Sequence, residues 1–449
     1  MTGSSRKNRK LLRWTGWFVA LSATAAAIPL GLNRPVYWLI FGVIVAIWTI
    51  GFILLAHRDQ ARHITLHRSN AWLLAIAAIV PAWAIVQSVP LPFEQVGPGG
   101  VALSILPSAS AMGALRFTIY ILFFYLALIA GARQNQAHRV AILMFAGAVA
   151  HAAWGLVALN LLGDVALWGE KTAYLGFATG TFLNRNSFAT FLSIGFCLGT
   201  ALLFDTGAAS QRGRRGARTG LDEWLNRALV LLGLVVIGLA LFATQSRLGV
   251  AGALIGAVIC FVLMRTGAAT PSLRRFLVTF AIAIPVLAVA ATAWGVGLLD
   301  RVISIEESVA FRLVAYGYAL ELIHAEPLLG YGFDTFRLAF ESVHRPPLPG
   351  DFYWDRAHST YLSNWVELGV VIGSLPVLLV AVVCLRLAKS VYSSSEGAML
   401  PAAAFSAIVT AAFQSAADFG LEIPANVILL LALSGLALAS SGQAHARRT

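Results

Sequence analysis

Residues 228–264 read ALVLLGLVVIGLALFAT-QSR-LGVAGALIGAVICFVLM. Two long apolar runs flank a turn of only three polar residues, Gln245-Ser246-Arg247. Each run is long enough to cross a hydrocarbon core of about 30 Å as a helix. Because the turn is so short, the two helices must lie antiparallel. The stretch therefore predicts a transmembrane helical hairpin with Arg247 at its tip.

Apolar runs of this kind recur along the whole chain. Its hydrophobic fraction is 59% and its charged fraction 12%, whereas soluble proteins have about 45–50% and about 25%. The composition predicts an all-α integral membrane protein forming a single polytopic domain over residues 1–449. The first span resembles a signal peptide, but its apolar core is too long for one, and we interpret it as a retained anchor. We expect about twelve spans, at 14–31, 36–56, 71–90, 113–131, 140–160, 185–205, 228–244, 248–264, 276–297, 362–386, 398–417 and 424–440.

The net charge of +12 carries topological information. With the N-terminus in the cytoplasm, most of the 32 basic residues and few of the 20 acids fall in cytoplasmic segments, as the positive-inside rule requires. Both termini are then cytoplasmic, and residues 298–361 form one large outward loop between spans 9 and 10. The basic cluster at 212–218 indicates contact with anionic membrane lipids rather than with nucleic acid. All three cysteines fall in predicted spans, so no disulfide framework is implied.

The outward segment 298–361 is an inserted helical loop. Ser304 and Glu307 have the spacing of a capping box, and an amphipathic pattern follows it until Pro327. Gly330 and Gly332 predict a turn; a dinucleotide fingerprint is excluded because the third glycine and the preceding strand are missing. A second short helix is expected over 334–343.

Three arginines are expected near the outer membrane surface. Arg185 opens span 6, Arg247 forms the hairpin tip, and Arg312 lies in the loop helix. Arg185 and Arg247 alone can each be explained by snorkelling to lipid phosphates. Together the arginines suit a lipid-linked diphosphate, because guanidinium gives paired donors to phosphate oxygens. No Asp-x-Asp or Glu-x-Asp pair occurs on the outward face, so we expect neither a metal nor another cofactor.

His358 is the best candidate for a catalytic base, since it can titrate near neutral pH. Glu367 lies nine residues later and is a candidate to orient it, although on a continuous helix the two would face opposite sides. The structural alternatives are an interfacial histidine bonded to backbone and a carboxyl that pins span 10 to a neighbour. His151, in the middle of span 5, is interpreted as a packed, hydrogen-bonded side chain.

These segments resemble the O-antigen ligase and O-antigen polymerase superfamily. The resemblance runs from about residue 180 to 425 and depends on the order and spacing of several short strings. These are 180–189 (GTFLNRNSFA), 246–249 (SRLG), Arg312 followed by 327–332 (PLLGYG), Phe336, 358–359 (HS) with 367–369 (ELG), and 418–424.

The resemblance implies a GT-C-like membrane fold with a large periplasmic loop, in the bacterial inner membrane. It implies an undecaprenyl-diphosphate-linked glycan donor and transfer to a hydroxyl of lipid A core or of another glycan. The arginines named above would hold the diphosphate, and His358 and Glu367 would be catalytic. Asn184, Asn186 and Ser359 would be secondary substrate contacts, although many members have Asn where this chain has Ser359.

Two further interpretations remain open at this stage. A polymerase would use the same donor and differ in its acceptor, and nothing in the sequence separates it from a ligase. A secondary transporter or a lipid-linked glycan flippase belongs to a different class. Such proteins need ionisable groups deep in their spans and repeat-related broken helices, whereas this chain has few deep charges and no evident repeat.

Overall fold

The structure is a computed structural model, and the regular secondary structure in the part of the chain that it describes is helical. The one exception is an isolated antiparallel β-bridge between Ala166 and Gly169. The described residues are 3–56, 68–90, 102–205, 220–266, 299–350, 354–393 and 398–446.

These ranges contain fifteen α-helices. They are α1 (Gly3–Ala25), α2 (Pro35–Leu55), α3 (Arg68–Ala77), α4 (Ile79–Ser88), α5 (Pro107–Gly131), α6 (Gln134–Asn160), α7 (Arg185–Leu203), α8 (Gly220–Thr244), α9 (Arg247–Thr266), α10 (Leu299–Ala325), α11 (Phe336–Glu341), α12 (Thr360–Gly373), α13 (Leu375–Ser393), α14 (Met399–Ser415) and α15 (Pro424–Ala446).

Nine helical segments in these ranges are long and apolar enough to cross a membrane. The all-α, multi-pass class is therefore confirmed, whereas the count of twelve spans and the side on which the loop lies remain predictions. The predicted ninth span, 276–297, and the basic cluster 212–218 lie outside the described residues. The nine segments are Pro35–Leu55, Asn70–Ser88, Pro107–Gly131, Gln134–Asn160, Arg185–Leu203, Glu223–Thr244, Arg247–Arg265, Leu375–Tyr392 and Pro424–Ser441.

Helix α7 lies at the centre of the bundle, and polar side chains join it to its neighbours. Ser193 donates to the carbonyl of Gly249 on α9, at 2.9 Å. Thr410 on α14 donates to the carbonyl of Gly252, also at 2.9 Å. Small residues let these backbones approach closely, and the buried hydroxyls find interhelical partners. The N-terminal ends of α7 and α9 and the C-terminal end of α14 consequently meet at one membrane face.

A cap covers that face. We use the name cap for residues 299–350 together with 354–359. Its helices α10 and α11 bury their own apolar cluster, in which Tyr318, Leu322 and Phe340 are almost inaccessible. The amphipathic pattern of the loop helix is thereby confirmed. Its predicted start at Ser304 is wrong, because α10 begins at Leu299; neither glycine nor proline interrupts the chain between the two positions.

The predicted span 10 is not one continuous helix. Gly369 has φ 75° and ψ 163°, which breaks the chain before α13. The carbonyl of Glu367 instead accepts from the Gln87 side chain at 2.9 Å and from the amide of Gly332 at 3.0 Å. The amide of Val370 donates to Pro327 at 2.8 Å. The expectation of an unbroken helix over 362–386 was wrong because the cap supplies the hydrogen bonds that a helix would otherwise make.

The close approach at this break requires glycine at position 330. Gly330 has φ 67°, and a Cβ there would lie 2.5 Å from the carbonyl oxygen of Glu367 and 2.5 Å from the amide nitrogen of Gly369. We expect Gly330→Ala to lower the free energy of unfolding by roughly 1–3 kcal/mol from backbone strain alone. The measurement is thermal unfolding of the purified protein in detergent.

Gly317→Ala is the matched control, because nothing lies within 4 Å of a Cβ built there and α10 is regular at that point. Alanine favours helix over glycine by about 1 kcal/mol, so this variant should be neutral or more stable. Equal melting temperatures for the two variants would contradict the proposed packing of the turn.

Candidate active site

The N-terminal end of α7 is built by Asn184. Its side-chain oxygen accepts from the amide of Asn186 at 2.7 Å and from that of Ser187 at 3.3 Å, which satisfies two of the free donors at a helix start. Its amide nitrogen donates to the hydroxyl of Tyr174 at 2.7 Å. Asn184 is thus engaged as a helix cap, and it links the loop before α7 to the site.

Two of the predicted arginines begin neighbouring helices. The guanidinium carbon of Arg185 lies 4.1 Å from the ring centroid of Phe177, a distance typical of a cation–π contact. Arg247 begins α9 and its side chain is exposed. Gly249 packs against Ala189, one turn into α7, so the two arginines open adjacent helices at the same membrane face.

Arg312 reaches the site from the cap. Its guanidinium donates to the carbonyl of Ala417 at 3.2 Å, which lies in the segment between α14 and α15. One turn further along α10, the hydroxyl of Tyr316 donates to the carbonyl of His358 at 3.0 Å. These two contacts hold α10 against the chain segments that contain Ala417 and His358.

His358 stands on a strained backbone just before α12. Its φ is 52°, a conformation that non-glycine residues seldom adopt and that concentrates at functional sites. The imidazole ring makes edge contacts with Trp354, at 5.7 Å between centroids, and with Phe419, at 5.0 Å. The neighbouring Ser359 is buried and caps α12 without a side-chain hydrogen bond. The ring is therefore held on both sides by aromatic walls.

A buried carboxylate lies beside the imidazole. Nδ1 of His358 is 4.0 Å from Oδ1 of Asp418, and Asp418 is only 3% exposed. Burial, helped by the positive charges of Arg312 and Arg356, lowers the pKa of His358 to about 4. Burial raises the pKa of Asp418 to about 6. At neutral pH the pair is consequently a neutral imidazole next to an ionised carboxylate.

Glu367 does not take part in this pair. Its Oε1 accepts from the backbone amide of Phe336 at 3.0 Å, and its carbonyl is tied to the turn described above. The expectation that Glu367 orients His358 is replaced by the observed position of Asp418. The physical reason is the break at Gly369: the carboxyl of Glu367 is used to hold α11 against α12.

Two residues of this site were not predicted from the sequence as members of it. Asp418 had a weak signal, because it is one of two acids between two apolar segments and lies in the string 418–424. Tyr174 had none. Its hydroxyl bonds to Asn184, and the charges of Asp418, Arg185 and Arg312 all act on it. Tyr174 thus lies close enough to all three groups to feel their charges.

The sequence model of the O-antigen ligase family matches residues 232–377. This region of the chain is therefore similar to the O-antigen ligase family. It contains Arg247, Arg312, His358 and Glu367, whereas Arg185 and Asp418 reach the site from outside the matched region. The comparison with curated proteins returned no match. Within the described ranges, no three His, Cys, Asp or Glu side chains gather as a metal site would require.

His151 lies apart from this site and is hydrogen-bonded, as the sequence indicated. Its Nε2 is 3.0 Å from the carbonyl oxygen of Thr24, and its Nδ1 is 3.3 Å from the hydroxyl of Thr181. The ring joins α1 and α6 to the loop before α7.

The positive charge of Arg312 should have a measurable effect on the pKa of His358. Because Arg312 lowers the pKa of His358, Arg312→Met should raise it toward its ordinary value, by on the order of one unit. The measurement is a pH titration of ¹⁵N-labelled histidine in the detergent-solubilised protein, with the resonance assigned by its loss in His358→Gln.

Arg337→Met is the matched control, since Arg337 is half-exposed and pairs with Glu341 and Asp355 on the cap. This variant should leave the titration of His358 unchanged. If Arg312→Met also leaves it unchanged, the proximity of the two groups is refuted.

Proposed function

We propose that the protein is an O-antigen ligase-like glycosyltransferase. It moves a glycan from an undecaprenyl-diphosphate carrier to an acceptor hydroxyl of lipid A core, on the periplasmic side of the inner membrane, with both termini in the cytoplasm. The observation that carries the proposal is the neutral His358 beside the buried Asp418, with the charge of Arg312 acting on His358 and that of Asp418 acting on Tyr174. The family described by the match is one of ligases, and we therefore favour a ligase over a polymerase.

The reaction is a single displacement at the anomeric carbon. The acceptor oxygen forms the new glycosidic bond while the bond from the anomeric carbon to the diphosphate breaks, so the configuration inverts. The hydroxyl proton passes to Nε2 of His358. Nδ1 lies 4.0 Å from Asp418, beyond hydrogen-bond distance, and the carboxylate stabilises the imidazolium that forms through its charge.

The leaving diphosphate gains charge as the bond breaks. Arg185, Arg247 and Arg312 supply fixed positive charge at that point, and such charge favours the transition state over the ground state. Paired guanidinium donors match phosphate oxygens and need no metal ion. Asn186 and Ser359 lie beside these groups as secondary contacts. The protein's own residues thus account for both the proton transfer and the departure of the carrier lipid.

Removal of the imidazole should abolish transfer. General base catalysis contributes roughly 10²–10⁴-fold, and we expect His358→Ala to lose at least that much activity in a membrane assay with lipid-linked glycan and lipid A core. His324→Ala is the control, because His324 is exposed at the end of α10; it should retain full activity. Undiminished transfer by His358→Ala at equal protein levels would refute the proposed site.

The fall of kcat/KM at acid pH should follow the protonation of Asp418 rather than that of His358. As pH falls through about 6, Asp418 takes up a proton and no longer stabilises the imidazolium, so kcat/KM should fall on the acid side with a midpoint near 6. His358 itself protonates only near pH 4. In Asp418→Asn the rate should be lower at pH 7, and the acid limb should move down toward 4.

Asp355→Asn is the control for this profile, because Asp355 is an exposed residue of the cap. In this variant the acid-side fall of kcat/KM should keep its midpoint near pH 6. An acid limb that remains near 6 in Asp418→Asn would show that another group controls it.

A further inference from the structure

A pocket opens at the same membrane face as the candidate active site, beside Arg356. It is a cavity of about 390 Å³, inside the range of roughly 300–1,000 Å³ found for small-molecule sites. Its walls are the starts of α2 and α5, with Asp334 and Arg356 from the cap and Glu422 from the segment before α15. The contacts attributed above to the diphosphate do not use it.

We infer that this cavity is the acceptor subsite and that it binds an uncharged, polyhydroxylated sugar ring of the acceptor saccharide. The inference rests on the proposed function for the identity of the acceptor. It adds the location of the acceptor and the chemistry by which it is recognised.

The charges that line the cavity are already neutralised in pairs. Arg116 donates both terminal nitrogens to Asp334, at 3.0 and 2.9 Å. Arg356 donates to Glu422 at 2.8 Å and to the side chain of Asn33 at 3.2 Å. Because each guanidinium is matched by a carboxylate, the cavity offers no net positive charge to a phosphate.

Such paired groups are suited to sugar hydroxyls. A hydroxyl is both donor and acceptor, so it can donate to the free lone pairs of Asp334 or Glu422 and accept from a guanidinium N–H. The hydrogen-bonding groups are fixed beforehand, since Glu422 is also held by the hydroxyl of Ser363 at 3.0 Å. Fixed, buried polar groups reject a ligand that leaves them unpaired.

One wall of the cavity is aromatic. Trp38 lines it, with the Arg116 guanidinium 5.8 Å from its ring centroid, and Met112 lines it from α5. The C–H face of a pyranose ring packs by dispersion against such a surface, while the ring's hydroxyl edge meets the charged pairs. An apolar wall beside paired polar groups fits a sugar better than a diphosphate.

One aromatic ring, that of Phe419, contacts both the base and a residue of the cavity wall. Phe419 contacts the imidazole of His358 at 5.0 Å between centroids, and the guanidinium carbon of Arg356 is 5.5 Å from the same centroid. A saccharide in the cavity can therefore extend a hydroxyl past Phe419 to His358.

The test occludes the cavity without removing any polar contact. Ala109 lines it from the first turn of α5, and Ala109→Phe fills the space. Leu115→Phe is the matched control on the same helix, at a position 45% exposed outside the cavity. The probe is dephosphorylated, delipidated core oligosaccharide, whose binding to each full-length variant in detergent is measured by saturation-transfer NMR, with inorganic pyrophosphate as competitor.

We expect the wild type and Leu115→Phe to bind the oligosaccharide alike, and Ala109→Phe to bind it at least about tenfold more weakly, because the ligand's contacts are lost with the space. Pyrophosphate should not displace it. In the transfer assay, Ala109→Phe should raise the KM for acceptor and leave the KM for donor unchanged. Melting temperatures are compared to confirm that both variants fold.

Several results would overturn the inference: no binding of the oligosaccharide by the wild type, equal binding by Ala109→Phe, displacement by pyrophosphate, or a change in donor KM alone. If Ala109→Phe fails to fold, Ser108→Tyr, which fills the same cavity from the adjacent position, takes its place. Failure of the proposed function is separate: it would appear as absent transfer by the wild type, while the binding measurements still decide whether the cavity holds sugar.

Discussion

The packing of the cap on the helix bundle depends on the hydrogen bonds made by the free backbone groups where the helix breaks at Gly369. In a membrane an unpaired carbonyl costs several kcal/mol, so a break is tolerated only where other protein groups replace the lost bonds. The side-chain amide of Gln87 donates to Leu329 at 2.7 Å and to Glu367 at 2.9 Å, and its oxygen accepts from the amide of Phe333 at 3.2 Å. One side chain thus joins the bundle, the cap and the start of the broken span.

That junction determines where the functional groups can be. The cap is held over the helix ends at the turn after α10, so α10 itself lies across the bundle and brings Arg312 to Ala417. The same docking lets α12 begin at Thr360 with His358 immediately before it. Imidazole, guanidinium and Asp418 come from three separate segments, and none of them would meet if the cap were free to move.

Hydropathy predicted most of the membrane helices, because burial in lipid demands long apolar runs whatever the packing. It could not predict the break at Gly369, since the surrounding residues are as apolar as a continuous span. It located Arg185, Arg247 and His358 as candidates, because charged groups near hydrocarbon are costly and need a reason. It could not pair His358 with Asp418, because their proximity depends on how α12 and α14 pack.

The low pKa of His358 limits what the imidazole can do in the proposed reaction. A base with a pKa of about 4 removes a proton poorly from a neutral hydroxyl. The hydroxyl becomes acidic only as its oxygen bonds to the anomeric carbon, so proton transfer must accompany or follow loss of the diphosphate. At that stage Asp418 stabilises the imidazolium. The arginines must neutralise the negative charge of the departing diphosphate. In the proposed reaction, activation of the leaving group therefore counts for more than the strength of the base.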